Sequence, residues 1–110
     1  MPRFIFTANY SVDAIKGMLA KPSDRAAATR ALVEAAGGKL VDYYATTGPK
    51  DFLMIVDTDD VTDLLAGIMA AGATGVMSNA ETIRAFSSDE LTSIQKKAQK
   101  LAAAYHAPGH

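Results

Sequence analysis

Hydrophobic positions in this chain alternate between short apolar runs suited to strands and three- and four-residue spacings suited to helices. Phe4-Ile5-Phe6-Thr7-Ala8 is apolar on both faces and predicts a first strand, ended by Asn9, Tyr10 and Ser11. Ser11 can cap a helical segment over Val12 to Leu19. Pro22 interrupts it, because the proline ring disfavours helical geometry at the residue before it. Ser23 is expected to cap a second helix, with Asp24 in the first turn at the positive end of the helix dipole. Alanine-rich sequence carries that helix to Gly37-Gly38, which stop it.

Lys39 to Thr46 predicts a second strand, and Thr47-Gly48-Pro49-Lys50 a turn by composition. Asp51 opens a third strand, Phe52-Leu53-Met54-Ile55-Val56, which is apolar without a break. So short a connection implies an antiparallel hairpin. Thr58, Asp59 or Asp60 caps the next helix, whose Val61, Leu64, Leu65, Ile68 and Met69 repeat at helical period. A fourth strand runs from about Val76 to Phe86. Ser87 and Glu90 then form a capping-box pattern, and Leu91, Ile94, Ala98, Leu101 and Tyr105 make a narrow seam on a last helix. The order is βαββαβ with one appended helix. It is a ferredoxin-like α+β arrangement with a four-stranded antiparallel sheet and helices on one face. The expected organisation is a domain over residues 1–87, a helical extension over 88–105 and a flexible tail over 106–110.

In such a sheet the lateral order is 4-1-3-2, which puts strands one and three in the middle. Those are the strands that read apolar on both faces, yet the helices cover only one. Burying the second face contributes about 1.5–3 kcal/mol per large side chain, and leaving it wet makes a sticky patch. The open face is therefore expected to meet another copy of the chain, as a homodimer or higher homo-oligomer. The alternative is that the last helix folds back across its own sheet.

Composition narrows the classes of function. A chain of 110 residues fits one domain. With 11 basic and 12 acidic residues the net charge is −1, which gives no electrostatic ground for nucleic acid or an anionic membrane surface. The absence of cysteine excludes disulfides, thiol catalysis and cysteine-ligated zinc. The apolar run at the start is too short for a signal segment or a membrane span, so a cytoplasmic protein of bacterial type is expected. The two histidines, His106 and His110, sit at the C-terminus, where neither a metal site nor a hydrolase triad assembles; no cofactor or metal is expected. Gly72 to Gly75 lack the lysine of a phosphate loop.

The stretch AAATRALVEAAGGKLVDYYATTGPKDFLMIVDTDD, followed by NAETIRAF, resembles the GYD domain family over roughly residues 1 to 88. The resemblance rests on Gly-Gly after the helix, an aromatic pair in strand two, a glycine turn ending in aspartate, an apolar strand and an acidic helix start. A threonine-arginine-phenylalanine strand closes it. It implies a ferredoxin-like protomer of the dimeric α+β barrel kind, with a cavity between two sheets, and it supplies no reaction. Gly48 and Asp51 match the naming motif, whereas Pro49-Lys50 replaces its variable residue and tyrosine.

Five residues carry candidate chemistry. Tyr43 and Tyr44 are adjacent on a strand, so they point to opposite faces. A phenol on the cavity side can donate a hydrogen bond to an oxyanion or stack on an aromatic ligand, or merely fill an interface rim. Tyr10 can close the mouth of a pocket where strand one exits. Asp51 can lock the hairpin or, if desolvated, act as a general base. Arg84 can clamp an anionic group, or protect an edge strand from unwanted pairing. The function these residues suggest is an oligomeric protein binding a small apolar or anionic ligand in an apolar intersubunit cavity. A cofactor-independent isomerase, cyclase or monooxygenase is the alternative, and a purely structural assembly protein a third.

Overall fold

The computed structural model describes residues 1–109. His110, the end of the tail expected to fray, lies outside the described residues. Strand β1 spans Arg3–Tyr10, longer than the sequence suggested, because Asn9 and Tyr10 still pair with Ser78 and Met77 of the last strand. Helix α1 (Val12–Ala20) starts at Ser11, whose side chain accepts the Ala14 N–H. After the Pro22 break, α2 spans Arg25–Ala35. Its N-cap is Asp24 rather than Ser23. The Asp24 carboxylate accepts the Ala27 N–H at 3.2 Å, while the Ser23 hydroxyl accepts a 3.5 Å bond from Arg25. A charged acceptor gains from the helix dipole where a serine hydroxyl does not. Gly37 ends the helix at φ +87°, a conformation open to glycine.

Strands β2 (Lys39–Ala45) and β3 (Phe52–Asp57) form the hairpin. Helix α3 (Val61–Gly72) follows an Asp60 cap, then come β4 (Met77–Ala85) and α4 (Ser88–Ala102). Both arms of the Ser87–Glu90 capping box are made. Tyr105, counted as the last step of the α4 seam, falls beyond the end of that helix.

The sheet order is β2-β3-β1-β4, with every pair antiparallel. On one face Phe4, Phe6 and Ala8 lie opposite Val56, Met54 and Phe52, and all six are buried with Val33 of α2 and Leu64 of α3. On the other face Ile5 lies between Ile55 and Ile83, and Leu53 between Thr7 and Tyr44. These side chains are half-buried or exposed. Every residue of α4 is exposed, so that helix does not fold back over the sheet, and the molecule measures 63 × 31 × 22 Å. The α3 stripe also divides. Leu64 and Ile68 pack on the core, whereas Val61, Leu65 and Met69 are exposed.

Candidate functional site

Strict alternation along β1 sends Tyr10 to the same face as Phe6 and Ala8. The strand β2 is not strictly alternating. Its register with β3 shifts between Leu40 and Asp42, so Leu40 faces Val56 while Tyr43, not Tyr44, faces Met54. This bulge sets Tyr43 on the helix side and leaves Tyr44 half exposed on the uncovered side beside Leu53. Phe52, from the start of β3, stands between the two tyrosines. Its ring stacks on Tyr10 at 4.8 Å and 22°, and on Tyr43 at 5.4 Å and 11°. The hydroxyls of Tyr10 and Tyr43 are hydrogen-bonded to each other. Burial, and then that bond, push the Tyr43 phenol well above its ordinary pKa, against the pull of the nearby Arg25 charge. Tyr43 therefore stays protonated, a neutral donor and acceptor.

Asp51 serves this arrangement from behind. Its N–H donates to Ala8 O at 3.0 Å, and its carboxylate accepts the Tyr10 N–H at 2.9 Å. The β1–β3 pairing thus continues one residue past the strand and fixes the segment that carries Tyr10. Asp51→Ala is expected to lower stability by about 1–2 kcal/mol, since it leaves a half-buried N–H without its acceptor; urea unfolding measures this. The turn before it is also anchored. Asn9 donates to Pro49 O at 2.9 Å, Asn79 donates to Asn9 Oδ1 at 3.2 Å, and the Lys50 ammonium donates to Asn79 O.

The tyrosine pair opens onto a cavity of about 670 Å³ between the covered sheet face and α1, α2 and α3. Its floor is Phe6, Phe52, Met54 and Val56; its roof includes Met18, Leu32 and Ile68. Much of the helix side is small: Ala14, Gly17, Ala28, Ala36, Gly67 and Ala71 all line it. Lys21, Ser23 and Arg25, from the connection between α1 and α2, form one rim.

Of the five candidate residues, the fold brings Tyr10, Tyr43 and Asp51 together. Tyr44 lies on the opposite face. Arg84 lies over the Phe86 ring at 4.3 Å and donates to Arg3 O at 3.3 Å and to Ala85 O. With Glu90 at 3.5 Å it ties β4 to the start of α4 and does not line the cavity. The cavity itself lies within one chain, on the helix side, whereas the expected intersubunit one concerned the other face. Lys21, Arg25, Gly17 and Gly67 were not anticipated from the sequence, although the small residues on all three helices are a signal that points to them. Among the described residues no group of three or more His, Cys, Asp or Glu can hold a metal ion, and no helix is long and apolar enough to cross a membrane.

A four-stranded antiparallel sheet in this order, crossed by helices on one face, defines the ferredoxin-like class of α+β domains. The GYD domain family model matches residues 4–95, and the chain belongs to that family. Among solved structures it is similar to TTHA0845 from Thermus thermophilus, at 18% identity and a TM-score of 0.51, covering 80% of this chain and 96% of that one. It is also similar to MtbAldR (Rv2779c), at 16% identity and a TM-score of 0.52, covering 78% of this chain and 52% of that one. At these identities the likeness is one of fold. No curated protein matches the chain.

Proposed function

We propose that this protein binds a small, largely apolar molecule in the cavity between its sheet and helices α1 to α3, and that copies of the chain associate through the uncovered sheet face. The observation that carries the binding reading is the cavity of about 670 Å³, apolar over its floor and roof, with the Tyr10–Tyr43 hydroxyl pair in its wall and charged side chains at its edges. Ligand sites typically occupy about 300–1,000 Å³, with a few placed polar groups in an apolar lining. A neutral phenol that is both donor and acceptor supplies orientation without requiring a charge on the ligand.

Gly67 provides the test. It lies in the middle of α3, lines the cavity, and has no heavy atom within 4 Å of an added Cβ. Leucine there improves helix propensity by about 1 kcal/mol while growing into the cavity. Gly67→Leu is expected to raise the thermal midpoint and to weaken binding of N-phenylnaphthylamine, a neutral apolar fluorophore, by about tenfold or more. A fluorophore that binds the variant as tightly as the wild type counts against the cavity as the site.

The second reading, a cofactor-independent enzyme, is favoured by one observation: the Tyr10–Tyr43 hydroxyl pair lines the cavity, where a neutral phenol can donate a hydrogen bond to a substrate oxygen that gains charge. Recovery of every cavity ligand chemically unchanged after prolonged incubation, judged by mass spectrometry, counts against it.

A further inference from the structure

We infer that the ligand of this cavity is an amphipathic organic anion, its apolar body against the Phe6–Phe52–Met54 floor and its one acidic group between Lys21 and Arg25. The inference rests on the binding reading above and specifies its ligand. Four charged side chains line the cavity, and they are separated by sign. Asp13 is in the first turn of α1, whereas Lys21 is the residue that ends it, about 12 Å away at 1.5 Å per residue. Asp63 lies 4.0 Å from where a Gly37 Cβ would stand, beyond the C-terminal end of α2. Arg25 is the first residue of α2, so that helix separates the two by roughly 16 Å.

Lys21 and Arg25 flank the short connection between α1 and α2, and neither Asp13 nor Asp63 comes within 4.0 Å of either cation. Among the described residues the ion pairs within 4.0 Å are Arg3–Asp57, Lys50–Glu81 and Arg84–Glu90, and none involves these two cations. Asp24, which lies between them in sequence, is turned to the Ala27 N–H and does not line the cavity. Arg25 and Tyr43 both line the cavity, and the Arg25 charge acts on the Tyr43 phenol, so Arg25 stands toward the hydroxyl pair. Two cations without carboxylate partners, at the mouth of an apolar chamber with hydrogen-bonding hydroxyls just inside, suit a carboxylate or sulfonate on an apolar body. A neutral hydrocarbon leaves both cations unused.

The test compares two probes of nearly the same apolar framework, neutral N-phenylnaphthylamine and the anion anilinonaphthalene sulfonate, on the full chain. Replacing both cations, Lys21→Gln with Arg25→Gln, is expected to weaken the anion by about tenfold, the equivalent of about 1.4 kcal/mol, and to leave the neutral probe within about twofold. Both side chains are exposed, and circular dichroism checks that the fold persists. On the wild-type protein, raising salt from about 20 to about 300 mM is expected to weaken only the anion. Unchanged binding of the anion in the double variant, with the neutral probe still displaced by Gly67→Leu, overturns the anion inference and leaves the cavity reading standing. Insensitivity of both probes to Gly67→Leu overturns the cavity reading itself.

Discussion

Phe52→Ala is expected to cost about 3–5 kcal/mol of stability, the range for removing a buried aromatic side chain from a core. Phe52 is 5% exposed, and three rings surround it: Tyr10, Tyr43 and Phe6, the last at 5.9 Å and 44°. Each such pair adds about 0.5–1.5 kcal/mol beyond the area it buries. A domain of this size has a net stability of about 5–15 kcal/mol, so this one residue carries a large share of it. The functional consequence is as large. Phe52 is the spacer that sets the distance between Tyr10 and Tyr43, so its loss also removes the hydroxyl pair from the cavity wall. Urea unfolding followed by circular dichroism measures the first effect, and N-phenylnaphthylamine fluorescence the second. Phe86→Ala is the control: that ring is 54% exposed, and its loss belongs to the small surface effects, within about 1 kcal/mol. Equal losses at the two positions would show that the aromatic cluster is not what holds this end of the sheet.

The strand order was legible because a βαββαβ succession implies the order 4-1-3-2, and the two strands it puts in the middle, β1 and β3, are the ones whose sequence is apolar on both faces. The break at Pro22, the Ser11 cap and the Ser87–Glu90 box were legible for local reasons, since each depends on residues a few positions apart. Choosing between Ser23 and Asp24 as the α2 cap depended on one residue of phase, which neither side chain reveals by its type. The tyrosine site was harder still. Counting by twos from Leu40 puts Tyr44 on the core face, and only the bulge before Asp42 transfers that role to Tyr43. No residue type in Leu40-Val41-Asp42 announces a bulge. The cavity had a signal of a different kind. Ala28 read only as part of an alanine-rich helix and Gly17 and Gly67 carried no reading, yet small side chains on all three helices cannot fill the space above Phe6 and Met54. Periodicity reports which way a residue points and says little about how far it reaches.

From the proposed association through the uncovered sheet face, Ile55→Lys is expected to leave a single chain of 11.6 kDa in solution where the wild type is larger, as measured by light scattering. Ile55 is at the centre of the uncovered face, directly opposite Ile5, which is in turn opposite Ile83. Leu53 and Tyr44 occupy the neighbouring row. Five large side chains form one apolar patch that no helix of the same chain covers. Face-to-face contact with a second copy buries it twice over, at about 25 cal/mol per Å² of apolar surface. A lysine there places a charge beside Asp42, the cross-strand neighbour of Ile55 on β2, in the middle of that contact, where desolvating the pair costs more than its attraction returns. In the separate chain the same lysine extends into water, so helix and strand content is expected to stay unchanged in the circular dichroism spectrum. The exposed seam of Leu91, Ile94 and Leu101 is a rival surface, and deleting residues 88–110 distinguishes the two. If the sheet face is the interface, the truncated chain remains oligomeric while Ile55→Lys does not. The opposite pattern assigns assembly to α4, and a wild-type chain that stays monomeric at every concentration overturns the association altogether.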